Sequence, residues 1–373
     1  MLVVEKNLIR RRRSALRGAA VLGAGLLSLA GCSIDAPGRA AAQSAPVAGA
    51  PRALAPTDTA TRRVGDALSP LTTGAERDSL KGAAAGKTYL HGESPLFARE
   101  MGWPVRYPAP LPGASLPAHR IVVYYGNTHS RGMGVLGEYP KEEMLRKLRG
   151  EVAVWNAADP AHPAIPALQL IVSVANGVPG PTGKYRTVMW DSTLENVHRW
   201  AESMHGLFIM DIQTGMSTIQ EMLPRFEHFL TDPDVELAVD PEFMMVYNHA
   251  VPDRKVGNIR VSDINWITAE VARIVREHHL PPKVVIIHRF RRDMVLGNTR
   301  DIILRPEVQL VMDMDGFGPK WMKRDSYRDY IVAHPVEFTG VKLFYHNDTK
   351  AGGMMTPEEI LRFRPQPLYI QYQ

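Results

Sequence analysis

The sequence predicts an α/β protein, in which residues 120–373 form a (β/α)8 TIM-like barrel that lacks the last helix. Three observations predict this fold. Eight short apolar runs recur along the segment, amphipathic stretches separate most of them, and the chain stops just after the eighth run. Several runs are nearly continuous and rich in β-branched residues, as expected of parallel strands buried on both faces. About 250 residues is the usual size of such a barrel.

The apolar runs give the predicted strands and the stretches between them give the predicted helices. The strands are expected at 121–125, 168–174, 207–210, 235–239, 284–287, 308–312, 341–345 and 368–370. The helices are expected at 140–149, 191–204, 216–230, 261–279, 324–332 and 356–362. An open doubly wound sheet is the alternative fold, but no Gly-rich phosphate-binding pattern follows the first strand. The barrel therefore explains the sequence better.

The first 31 residues have the pattern of an export signal. Their net charge is +5, which equals the formal net charge of the whole chain, so residues 32–373 are close to neutral. The basic pI therefore gives no indication of nucleic-acid binding. The uncharged apolar run at 18–30 is too short to span a bilayer, which takes about 20 residues, and fits a signal peptide.

The single cysteine, Cys32, excludes an intramolecular disulfide and a thiolate metal cluster. The sequence Leu29-Ala30-Gly31-Cys32 that ends the apolar run resembles the lipobox of bacterial lipoproteins. This resemblance implies lipidation of Cys32 and a lipid-anchored, extracytoplasmic protein at the cell membrane or outer membrane. Acyl chains of this kind give stable membrane anchoring when two or more are attached. The alternative is an ordinary secretory signal beside a chance cysteine.

Two segments separate the signal from the predicted barrel. Residues 32–85 are rich in Ala, Pro, Gly, Ser and Thr, so we expect a disordered, flexible linker that cannot bury enough apolar surface to fold. Residues 86–119 contain Trp103, Tyr107 and several prolines, and are expected to run extended and pack on the barrel.

Polar side chains follow the predicted strands, at the end of a barrel where active sites lie. They are Asn127, Asn176, Asp211, Gln213, Asp240, Glu242, His288, Asp313, Asp315 and Tyr345. Three pairs of them are spaced i, i+2, which places both members on one face of a strand. Pro241 ends the fourth strand, since proline does not fit a central strand. Each pair is therefore expected to point into the mouth of the barrel.

Crowded carboxylates raise one another's pKa, so one can stay protonated near neutral pH while another is ionised. This combination breaks a glycosidic bond, with an acid for the leaving oxygen and a base or nucleophile at the sugar carbon. We therefore predict a glycoside hydrolase acting on an envelope or environmental polysaccharide. Its catalytic residues would be Glu242 as the acid, Asp240, which tunes it, and Asp211. The remaining polar residues of the set would bind substrate, and no cofactor is expected.

Two resemblances agree with this hypothesis. The apolar strand ending in Asp240-Pro241-Glu242 resembles strand 4 of chitinase-like family 18 glycosidases and a pair in family 25 lysozymes, which implies that Glu242 is the acid. Two further aspartates of the chitinase motif are replaced here by Glu236 and Ala238. The polar segments as a set, including His288-Arg289-Phe290 and Met314-Asp315-Gly316, resemble an uncharacterised family of TIM-barrel, glycoside-hydrolase-like bacterial lipoproteins.

Other functions are open at this point. An aspartate at a strand–helix junction is often only a helix N-cap. A metal-dependent hydrolase would use oxygen and imidazole ligands drawn from Asp211, Asp240, His288, Asp313 and His346. Against it, the sequence has no His-x-His and no His-Glu-x-x-His pattern. A non-catalytic glycan-binding or envelope-structural lipoprotein is the third possibility.

Overall fold

The computed structural model describes residues 61–70, 72–85 and 91–373. The signal peptide 1–31, Cys32, the linker up to residue 60 and residues 86–90 lie outside the described residues. In the described ranges, no helix combines the length and the apolar character that crossing a bilayer requires.

Eight parallel strands close into a barrel, which confirms the predicted fold class. They are β1 (Arg120–Gly126), β2 (Ala164–Ala175), β3 (Leu207–Ile212), β4 (Val235–Val239), β5 (Lys283–Arg289), β6 (Val308–Met314), β7 (Phe338–Leu343) and β8 (Tyr369–Tyr372). Each strand pairs with the next in chain order, and β8 pairs with β1, where Tyr369 lies opposite Ile121. Nearly all strand residues are buried, as the continuous apolar runs predict.

Helices follow six of the strands. They are α1 (Lys141–Ala158), α2 (Asp191–Glu202), α3 (Ile219–Met222), α4 (Val261–Glu277), α5 (Lys320–Ser326, continued as a π-helical stretch Tyr327–Val332) and α6 (Pro357–Ile360). Further helices lie at Val64–Ala67, Gly74–Ala84, Pro95–Met101, Val135–Glu138 and Asn347–Lys350. The connection from β5 to β6 has 3-10 turns at Arg292–Met294 and Thr299–Asp301 instead of a helix.

Two predicted helices have different lengths in the structure. Helix α1 continues nine residues beyond the expected end at 149, because buried Trp155 anchors its last turns and outweighs the helix-weakening Gly150. Helix α3 covers only four residues of the expected 216–230, and 3-10 turns follow it. Pro224 explains the break, since it lacks a backbone N–H and its ring clashes with the preceding turn.

The predicted linker 32–85 is too long, because residues from 62 onward pack against the barrel domain. Arg62–Arg63 form a short antiparallel strand with Ile303–Leu304, and Val64 and Ala67 are completely buried. Thr73 caps the helix Gly74–Ala84. The composition of this segment is poor in aromatic residues, but two small apolar side chains and a backbone ladder suffice to dock it.

The segment before β1 also differs from the expected extended run. It contains the helix Pro95–Met101, whose N-cap is Ser94. The Trp103 indole donates a hydrogen bond to the Val332 carbonyl at 2.9 Å, and Tyr107 packs against Phe338 with ring centroids 5.0 Å apart. This segment therefore covers the strands and helix around β6 and β7.

Candidate active site

A cavity of about 700 Å³ opens at the carboxyl ends of the barrel strands. Four acids line it, Asp240, Glu242, Asp253 and Asp315. Five aromatic side chains also line it: Tyr125, Phe243, Phe290, Phe317 and Phe344. Concave sites that combine apolar walls with a few convergent polar groups are typical of small-molecule binding. The position matches the end of a barrel where catalysis occurs.

His288 of β5 lies among three carboxylates that the sequence had placed at the ends of two other strands, Asp211 after the third and Asp313 and Asp315 after the sixth. Its Nε2 is 3.3 Å from Asp211, and its Nδ1 is 3.1 Å from Asp313 and 3.4 Å from Asp315. Burial alone would lower the pKa of His288, but hydrogen bonds to Asp211 and Asp313 raise it well above its usual value. The imidazolium form therefore neutralises part of the acidic cluster.

Asp211, Asp313 and His288 are completely buried and are not part of the cavity lining. The Tyr125 ring lines the cavity and meets the His288 ring edge-on, with centroids 6.3 Å apart. The three residues thus form an ionic layer behind the cavity wall, which we call the buried layer. Their predicted direct contact with substrate, including a catalytic role of Asp211, does not fit this position.

Neutral polar side chains of other strands complete the buried layer. Gln169 of β2 donates to Asp211 at 2.8 Å and lies 3.1 Å from His288 Nε2. Its carbonyl oxygen accepts hydrogen bonds from Tyr369 and from Gln371, the latter at 2.9 Å. Sequence reasoning missed Gln169, although a polar residue inside a strand buried on both faces was the available signal.

Asp240 and Glu242 both line the cavity, as predicted. Asp240 caps the 3-10 turn Pro241–Phe243 and accepts the Glu242 backbone amide at 3.0 Å. Burial raises the pKa of Asp240 to about 7, with added repulsion from Asp211 and Asp315. Burial and the charges of Asp240 and Asp315 raise the pKa of Glu242 to about 8. A carboxyl group that holds its proton at neutral pH can act as a general acid.

Gln213 and Asn176 are also at the cavity. Gln213 donates to Asp240 Oδ2 at 3.4 Å, and its own oxygen accepts the Ala175 backbone amide at 2.9 Å. It thereby fixes Asp240 to the end of β2. Asn176 lies at the rim, where it donates to Thr187 at 3.2 Å. Both positions agree with contact to a ligand.

Lys342 of β7 is a cavity residue that the sequence reasoning missed. Its ammonium lies 3.1 and 3.2 Å from the two carboxylate oxygens of Asp315, and 3.9 Å from the centroid of the Tyr125 ring. Lysine inside an apolar strand was the signal, because a buried ammonium needs a counter-charge. Asp315 thus bridges two cations, His288 behind the wall and Lys342 at the wall.

A buried ion pair holds the loop that carries Asp315. Lys323 of α5 lies 3.0 Å from Asp348 and donates to the backbone carbonyls of Gly316 and Lys342 at 2.6 and 2.7 Å. Asp348 accepts the backbone amide of Gly318 at 2.9 Å. These bonds tie the end of β6 to the end of β7.

Two predicted substrate-binding residues lie elsewhere. Tyr345 contacts the hydroxyl of Tyr124 at 3.0 Å and donates to Glu151 of α1 at 2.7 Å, on the outside of the barrel. Lys342 and Phe344 are two residues apart and both line the cavity, whereas Tyr345, the next residue along the chain, does not. Asn127 is buried: it donates to the Ile171 carbonyl of β2 at 3.1 Å, and its oxygen accepts the His129 backbone amide at 2.8 Å, which supports a turn.

Of the metal ligands considered in the sequence, Asp211, His288 and Asp313 come together in the buried layer, where His288 pairs with both carboxylates, and His346 lies apart from them. His346 is exposed and contacts Glu138 at 3.0 Å, while both nitrogens of His288 face carboxylates or Gln169. In the part of the chain that the structure describes, His198, Glu202 and Asp234 hold potential ligand atoms within 4.8 Å of one another. This group is away from the cavity, near the beginning of β4.

No protein-family model matches this chain, and no curated protein matches its sequence. A solved sugar phosphate isomerase/epimerase from Parabacteroides distasonis ATCC 8503 is similar over 69% of this chain and 88% of its own, with 12% identity and a TM-score of 0.30. A TM-score this low carries no functional argument. Fold and site define a TIM-like α/β barrel with an acid-lined cavity, and the family resemblances stay predictions.

Proposed function

We propose that the protein is a glycoside hydrolase in which Glu242 is the general acid. The observation that carries this proposal is a carboxyl group with a pKa of about 8 in the wall of a cavity that also holds other carboxylates. Aromatic rings in the same wall, such as Phe290 and Phe344, offer apolar faces for the carbon face of a sugar ring. Carboxylates paired in this way are the groups that glycoside hydrolysis needs.

In this mechanism, Glu242 gives its proton to the glycosidic oxygen as the bond from that oxygen to the sugar carbon breaks. The negative field of the acid-lined wall stabilises the positive charge that develops on the sugar. Water supplies the hydroxyl group to the sugar carbon, and its remaining proton returns to the Glu242 carboxylate. Asp240 holds the Glu242 backbone through its hydrogen bond and keeps the pKa of Glu242 high by its nearby charge.

The test is release of reducing ends from peptidoglycan, chitin oligomers and α- and β-glucans. Wild type should act, and Glu242→Gln should lose at least a hundredfold in rate, the lower end for an acid catalyst. Glu195→Gln, on the exposed surface of α2, is the matched control and should retain full activity. The wild-type rate should fall as the pH rises through about 8, where Glu242 loses its proton. Full activity in Glu242→Gln would refute the assignment.

We also propose that Cys32 anchors the protein by lipid on the outer side of a bacterial membrane, at the cell membrane or outer membrane. The support is the sequence alone, a charged start and an apolar run that ends in Leu29-Ala30-Gly31-Cys32. Intact mass measurement of protein extracted from membranes tests it. A diacylglycerol-type mass increase that disappears in Cys32→Ala is expected. An unmodified thiol in the wild type would contradict the anchor.

A further inference from the structure

Most of the ionisable residues in the cavity wall are acids. Four acids line it, and Lys342 is the one Lys, Arg or His among the lining residues that the structure describes. The carboxylates of this wall repel anionic ligands, and the repulsion grows as Asp240 and Glu242 lose their protons near pH 7 and 8. Whether the Lys342 ammonium is free to pair with a ligand therefore decides whether an anionic group can bind.

Lys342 is already fully engaged. Its ammonium contacts both oxygens of Asp315, at 3.1 and 3.2 Å, and only 3% of the residue is exposed. The face of the Tyr125 ring lies 3.9 Å away, and Phe344 provides a second ring at 5.2 Å. Aromatic faces stabilise a desolvated cation without neutralising it. Asp315 is therefore the group that cancels the charge of Lys342.

An anionic sugar that entered this cavity would meet no free Lys, Arg or His side chain among the described residues of its wall. Its phosphate or carboxylate would have to displace Asp315 from Lys342 while Asp240, Glu242 and Asp253 stay close. Displacement would also leave the buried Asp315 with His288, 3.4 Å away, as its remaining cation, and the loss of one counter-charge is costly for a desolvated carboxylate. A sugar that carries only hydroxyl or acetamido groups meets neither obstacle.

We propose that Asp315 determines substrate specificity: by occupying Lys342, it makes the cavity accept glycans without anionic groups and reject phosphorylated and uronic sugars. The identity of the ligand as a glycan rests on the proposed function. The occupation of Lys342 by Asp315 is tested separately, because it concerns binding of an anion and requires no turnover.

Asp315→Asn is the substitution that isolates this effect. It removes the negative charge and keeps the size of the side chain. The backbone amide of residue 315 still donates to the Arg289 carbonyl at 3.1 Å, and His288 keeps Asp211 and Asp313 as partners. Lys342 would then remain in place against the rings of Tyr125 and Phe344 with its charge uncompensated.

The experiment is calorimetric titration of the purified full chain at low salt with inorganic phosphate, glucose 6-phosphate and glucose. Asp315→Asn should bind phosphate and glucose 6-phosphate at least tenfold more tightly than wild type does. The double variant Asp315→Asn with Lys342→Met should lose this gain. Thermal unfolding and near-ultraviolet circular dichroism check that each variant is folded.

Two results would overturn the inference. One is wild type that binds glucose 6-phosphate as tightly as glucose. The other is a folded Asp315→Asn variant that gains no anion affinity, or whose gain persists without Lys342. Gain of phosphate binding in Asp315→Asn together with an absence of glycan hydrolysis by wild type would leave the role of Asp315 standing and remove the proposed hydrolase function.

Discussion

Replacing Asp240 by asparagine should stabilise the protein at neutral and alkaline pH. Burial raises the pKa of Asp240 from 3.8 to about 7. Between these values the native state keeps a proton that the unfolded chain releases, so the free energy of unfolding falls by about 1.4 kcal/mol per pH unit. The stability tied to this proton is therefore fully present below about pH 4 and lost as the pH rises to about 7. Asparagine removes this loss.

The structure sets the size of the effect. The pKa of Asp240, about 7, lies about 2 pH units above pH 5. The free energy of unfolding of the wild type should therefore fall by about 3 kcal/mol between pH 5 and pH 8. The asparagine oxygen can still accept the Glu242 amide, now at 3.0 Å. Its amide group faces the Gln213 donor at 3.4 Å, which costs about 1 kcal/mol at every pH. The net gain at pH 8 is therefore smaller than the pH-dependent change.

Urea unfolding of wild type and Asp240→Asn at pH 5, 6.5 and 8 measures this change. Asp234→Asn is the control of opposite sign. Burial opposes ionisation of Asp234, but the hydrogen bond from His198 at 3.0 Å outweighs it and lowers the pKa of this carboxyl. Asp234→Asn should therefore stabilise at no pH. A constant difference between Asp240→Asn and wild type from pH 5 to 8 would refute the reasoning, because native Asp240 would then hold no extra proton.

Two other substitutions probe the ion pair that holds the Asp315 loop and the wall of the cavity. Lys323→Met should cost about 3–5 kcal/mol in urea unfolding, since it leaves the buried Asp348 carboxylate without its cation 3.0 Å away; stability equal to wild type would contradict a structural ion pair. Phe317→Ala should change stability by less than about 1 kcal/mol, because 62% of this residue is exposed. It should weaken binding of an uncharged glycan up to about tenfold, the usual worth of one aromatic contact; unchanged affinity in titration would place the sugar elsewhere.

The barrel was predictable because its strands are buried on both faces and therefore appear as continuous apolar runs. The ends of those runs also placed Asp240, Glu242 and Asp315 at the cavity. What the sequence could not supply was the direction of a side chain at a strand end. Tyr345 and Phe344 are adjacent, yet Phe344 lines the cavity and Tyr345 contacts Glu151 outside the barrel.

The sequence also did not show how far from the mouth of the barrel each side chain lies. Asp313 and Asp315 share a strand face, but Asp313 lies behind the cavity wall and Asp315 lines it, because one pair of residues along a strand spans about 7 Å. The partners of the acids were missed for a related reason. Gln169 and Lys342 occur inside apolar runs, and a pattern search that follows the ends of strands passes over them.

The two cations divide the acids into groups with different chemistry. His288 lies between Asp211 and Asp313, and Lys342 holds Asp315, so these carboxylates have counter-charges within 3.3 Å. Asp240 instead accepts hydrogen bonds from neutral donors, and burial raises its pKa and that of Glu242 to about 7 and 8. Burial also raises the pKa of Asp313, but Asp313 lies behind the cavity wall, so Asp240 and Glu242 are the pair with raised pKa values that a ligand in the cavity can reach. A pair of raised carboxyl groups at the wall of a cavity is the arrangement on which the proposed general acid catalysis depends.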